Sequence, residues 1–127
     1  MSDLRPRGTP VVIDGEERHL LFTLNAIDEI QDHFDAPMSD VWDKLTDKRE
    51  SEKTIRYLIC ALLNDEAARE QRNGKELKSY TEEEVGWAIT VGNVNEIMMA
   101  LLDTYGLSLP EPDEDDSPKA ESGRTKK

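Results

Sequence analysis

The residues able to do chemistry gather in a few places, and each has an ordinary explanation beside the reactive one. Asp28, Glu29, Asp32 and His33 come closest to a ligand cluster. Glu29 and His33 stand four apart, one helical turn, so a carboxylate and an imidazole could share a metal ion. A metal site needs more ligands than that. The other histidine, His19, and the single cysteine, Cys60, lie in other segments, so these four read as the solvated face of a helix. Glu82, Glu83 and Glu84 could act as paired carboxylates, but they occupy a first helical turn, where the helix dipole favours acids. The run Asp113 to Asp116 lacks the alternating ligands and turn glycine of a calcium loop. Cys60 falls in the most apolar stretch and is expected to be buried and inert. There is no glycine-rich phosphate loop and no nucleophile elbow. The expectation is a protein that is not an enzyme, with no catalytic residue, cofactor or metal.

What positions such residues is limited by composition. The 127 residues suit one domain with a modest core, and 36% hydrophobic against 35% charged means that core must come from a few well-patterned segments. A net charge of −12 repels phosphate backbones. Arg18, Arg56 and Lys75 are scattered among acids rather than gathered into a basic patch, so nucleic acid is not an expected partner. One cysteine allows no internal disulfide, consistent with a reducing compartment. The arginines near the N-terminus are followed by no apolar run, and the longest apolar runs, Leu58 to Leu63 and Ile97 to Leu102, are six residues each. A membrane span needs about 20. No signal peptide, no membrane contact and a cytoplasmic location are expected.

The patterning predicts a mainly α fold: an N-terminal β-hairpin packed on about five helices. Val11-Val12-Ile13 and His19-Leu20-Leu21-Phe22 flank Asp14-Gly15, a dipeptide suited to the positive φ of a tight turn, and His19 is expected on an exposed edge of that hairpin. Thr23 then caps a helix with Ala26, Ile27, Ile30 and Phe34 at helical spacing, broken at Asp35-Ala36-Pro37. Ser39 is placed to cap a short helix bearing Val41, Trp42 and Leu45. A central helix carries Ile55, Leu58, Ile59, Leu62 and Leu63 and stops near Asn73-Gly74. Thr81 and Glu84 form a capping box for a helix that Gly92 ends, and Gly86 inside it costs about 1 kcal/mol relative to alanine, a sign of close contact. Asn93 and Glu96 repeat the box before a last helix with Val94, Ile97, Met98, Leu101, Leu102 and Tyr105, closed by Gly106. Residues 1–9 are read as a loose lead, 10–109 as the single helical domain, and 110–127 as a disordered charged tail without bulky apolar residues.

Four apolar residues fall off these stripes: Trp87, Met99, Leu107 and Leu109. The simpler assignment is that they complete the core. The functional one is a partner-binding surface, where methionine and tryptophan adapt to an incoming helix.

The order of features resembles the small tail assembly chaperones of long-tailed bacteriophages and prophages. The matching pieces are Val-Val-Ile-Asp-Gly-Glu-Glu-Arg-His-Leu-Leu-Phe-Thr-Leu-Asn-Ala-Ile-Asp-Glu-Ile from Val11, the helix around Leu-Ile-Cys-Ala-Leu-Leu-Asn-Asp-Glu-Ala from Leu58, Tyr-Thr-Glu-Glu-Glu-Val from Tyr80, and an apolar last helix before a charged tail. The resemblance spans residues 10–109 and lies in pattern and order. It implies a chaperone, absent from the mature virion, that keeps the tape-measure protein soluble until tail-tube subunits assemble around it, with protein partners only and possible homo-oligomers. It transfers no catalytic residue. Two other classes stay open on sequence: an acidic DNA-mimic inhibitor of a nucleic-acid-binding protein, and a tail or connector structural subunit.

Overall fold

The structure is a computed structural model that describes residues 8–106. Its elements are the strands β1 (Thr9–Ile13) and β2 (Glu16–Leu20), then the helices α1 (Leu24–Phe34), α2 (Met38–Leu45), α3 (Ser51–Arg72), α4 (Glu82–Ala88) and α5 (Val94–Tyr105). This is the mainly α fold with an N-terminal hairpin that the patterning predicts.

The hairpin turns on Asp14 and Gly15, both at positive φ (56° and 80°), the geometry whose twist matches two antiparallel strands. Its register pairs Val11 with Arg18 and Thr9 with Leu20, so Val11, Ile13, Arg18 and Leu20 share the buried face. Pairing begins at Thr9, inside the lead expected to be loose, and Gly8 lies against the Leu20 carbonyl where a Cβ would collide. Leu21 and Phe22 fall outside β2 and connect it to α1.

The long helix α3 is the axis of the molecule. Ile55, Leu58, Ile59, Leu62 and Leu63 are buried as a stripe, and Cys60 and Ala61 are buried off it, because β2, α1, α2 and α4 pack around its circumference. α5 packs on the hairpin, and Thr104 Oγ1 donates to the Leu20 carbonyl at 2.7 Å. Phe22, Trp42 and Tyr105 close that end as an aromatic cluster with centroids 4.8–5.8 Å apart.

Three boundaries differ from expectation. Ser39 caps nothing: α2 starts at Met38 after Pro37, and the Met38 amide donates to Gln31 Oε1 of α1 at 3.0 Å. A tertiary contact here replaces a local cap. α4 ends at Ala88, not at Gly92, and Ile89 is extended. The second capping box does not form, because Asn93 spends its side chain on the preceding turn: Nδ2 donates to the Ala88 carbonyl (3.0 Å) and Oδ1 accepts from the Thr90 amide (2.7 Å). Thr23, Thr81 with Glu84, and Gly106 cap as predicted.

Candidate functional site

Between α3, α4 and α5, the chain leaves an open groove of about 390 Å³. Ser51, Glu52, Ile55 and Arg56 form one wall from the start of α3. Gly86, Ile89, Thr90 and Val91 form a second wall from α4 and the turn after it, and Val94 and Met98 of α5 form the third. The groove exists because α4 stops early. Ile89 turns out of the helix with φ −102° and ψ 121°, and Asn93 pins the following turn through the bonds above, aided by the Gly92 amide donating to Thr90 Oγ1 at 3.1 Å. That fixed turn carries Val91 into solvent, 97% exposed. A β-branched apolar residue on a hydrogen-bonded turn presents its surface at little entropic cost.

Arg56 enters the groove by passing over Gly86. A Cβ at Gly86 would sit 3.1 Å from Arg56 Cδ, so glycine leaves room for the arginine stem. The close contact that the helix-interior glycine implies is therefore with a side chain. Arg56 Nε is buried without a hydrogen-bond partner, and among the described residues Arg56 makes no ion pair.

Arg18, another of the arginines scattered among acids in the sequence, is 1% exposed and sits at the opposite extreme. Its Nε donates to Glu66 Oε1 at 2.7 Å, and its two terminal nitrogens donate to the carbonyls of Lys78 (3.0 Å) and Leu63 (2.9 Å). Burial of both charges is offset by this full set of partners. His19 is likewise not on an exposed edge. It is half-buried, with ring nitrogens 3.3 Å from Glu66 Oε2 and from Glu17 Oε2, and its amide donates to Glu66 Oε1 at 3.2 Å.

The remaining reactive residues take structural positions. The His33 ring stacks on Tyr57, centroids 3.7 Å apart and planes within 10°. Burial, and then the carboxylates of Glu29 and Glu82, push the Tyr57 hydroxyl up to about 12, so it stays protonated at neutral pH. Cys60 Sγ donates to the Tyr80 carbonyl at 3.2 Å, and burial raises its thiol, which disfavours the nucleophilic thiolate. Asn64 grips the same residue from both sides, accepting from the Tyr80 amide (2.7 Å) and donating to its carbonyl (2.8 Å). Glu84 closes the capping box, and the Thr81 amide that it accepts holds its carboxyl below the usual range. Among the described residues, no three histidine, cysteine or acidic side chains are placed to hold a metal, and no helix is long and apolar enough to cross a membrane.

Of the four apolar residues singled out, Trp87 is 72% and Met99 46% exposed, so neither completes the core. Neither lines the groove, and each neighbours a residue that does, Gly86 and Met98. Leu107 and Leu109 lie outside the described residues. The lining residue Val91 escaped sequence reasoning. Its signal was an apolar side chain inside the turn sequence Thr-Val-Gly-Asn. Comparison with protein-family models, with curated proteins and with solved structures gives no match.

Proposed function

We propose that this chain is a protein-binding module of the tail-assembly-chaperone kind, covering apolar helical segments of a tape-measure client until tail-tube subunits take them over. The observation that carries this reading is the groove with its pinned apolar turn: Ile55, Ile89, Val94 and Met98 line it, Val91 stands in solvent, and Trp87, next in sequence to the lining Gly86, is exposed. An exposed apolar surface on a strongly charged protein marks an interaction site, and a groove between helices suits an amphipathic helix. The anionic coat keeps the loaded complex dispersed.

Co-expression with the tape-measure protein of the same phage or prophage tests the reading. The soluble fraction of the client rises with the wild-type chain and rises less with Val91→Asp. An unchanged soluble fraction would count against it.

A further inference from the structure

The groove is not uniformly apolar, and the one cation among its described lining residues is placed by construction. Arg56 is half-buried, its Nε is shut off from water without a partner, and its stem crosses α4 at a glycine, the residue type after proline that is least favourable inside a helix. The chain has 28 acidic residues, yet Arg56 forms no ion pair among those described, including with Glu52, the other charged residue of the lining, one turn earlier on the same helix. A guanidinium beside Ile55, Ile89 and Met98 is partly desolvated, and a carboxylate delivered to it there forms a charge-assisted hydrogen bond stronger than the same pair in water.

We infer that the groove selects an amphipathic helix carrying an aspartate or glutamate at the edge of its apolar stripe, with that carboxylate received by Arg56. This rests on the reading of the groove as the client site and names the chemistry of the client. The apolar stripe fills the space over Ile55, Val94 and Met98, while the acid fixes the helix's register and direction, as one polar pair does in a coiled coil. A second copy of this chain is a poorer occupant, since two molecules of charge −12 repel on approach.

The test uses the full chain and two labelled synthetic helices, identical in their leucine stripe and differing only in a Glu or a Gln at its edge, with binding read by fluorescence anisotropy. The Glu helix binds wild type about tenfold more tightly than the Gln helix, the scale of one hydrogen bond to a charged group. That preference disappears in Arg56→Gln, and Arg56→Glu prefers a Lys helix, with both variants keeping the wild-type Tm within a few degrees. Equal binding of the Glu and Gln helices to wild type, or a preference that survives in Arg56→Gln, overturns the inference. Binding of neither helix overturns it as well. In each of these cases a client solubilised by co-expression leaves the chaperone reading standing, so the two fail separately. A doubled mass in light scattering that Val91→Asp returns to a monomer would give the groove to a second copy, and would also overturn it.

Discussion

Two arginines, Arg18 on the hairpin and Arg56 on α3, mark a closed region and an open one. Arg18 arrives on the buried face of the hairpin and finds Glu66, the Lys78 carbonyl and the Leu63 carbonyl waiting, so every branch of its guanidinium is bonded. Arg56 arrives through the gap left by Gly86 and finds an apolar groove with its Nε unpartnered. The same side chain thus serves to lock one region and leaves the other unsaturated. A saturated buried charge holds the hairpin to the helices, whereas we read the unsaturated one at the open groove as a binding feature.

The contrast breaks first at the closed region, where the largest effect is expected. Arg18→Met strands the Glu66 carboxylate in the core and costs about 3–5 kcal/mol in urea unfolding. Adding Glu66→Gln to that variant recovers a good part of the loss, because the amide still accepts from the His19 amide without a buried charge. If Arg18→Met unfolds like wild type, the lock is not a lock. The Thr81→Ala change is smaller: it removes the side chain that accepts the Glu84 amide and costs about 1 kcal/mol by the same measurement.

A pH titration sharpens the picture on the α1 face of α3. The folded-state value of Tyr57 lies above its ordinary one, so its share of stability is complete below pH 10.0 and is lost as pH rises toward about 12. Wild type therefore loses stability through that window, and Tyr57→Phe flattens the loss. A variant as alkali-sensitive as wild type would remove Tyr57 from the account. The smallest stability effects belong to the open region. Trp87→Ala and Met99→Glu leave the Tm nearly unchanged, within the roughly 0.5 kcal/mol of an ordinary surface substitution, while weakening capture of the client. A large loss of Tm in both would return these residues to the core.

How much of this was legible follows the range of the interactions. Asp14-Gly15, the Thr81–Glu84 box, the α3 stripe and Gly106 act over a few residues, and sequence alone locates them. Ser39 was misjudged because the Met38 amide is satisfied by Gln31, a partner from the preceding helix. Asn93 was misjudged because its side chain had a competing set of bonds to residues before it. Arg18 is the instructive miss. The Asp-Gly turn already sets a register that places residue 18 opposite Val11 on the buried face, but counting it only among basic residues scattered between acids hid that consequence. The groove was out of reach for another reason: it depends on where α4 ends, and helix ends are set by capping competition that periodicity does not register.

The central claim is that the α3–α4–α5 groove, and not the hairpin side, receives a protein client. Hydrogen exchange of the full chain, alone and in complex with a co-expressed tape-measure client, tests this most directly. Slowed exchange is predicted between Gly86 and Met98, with the hairpin amides from Thr9 to Leu20 unchanged. Protection centred on the hairpin, with the groove segment exchanging as freely as before, would contradict it.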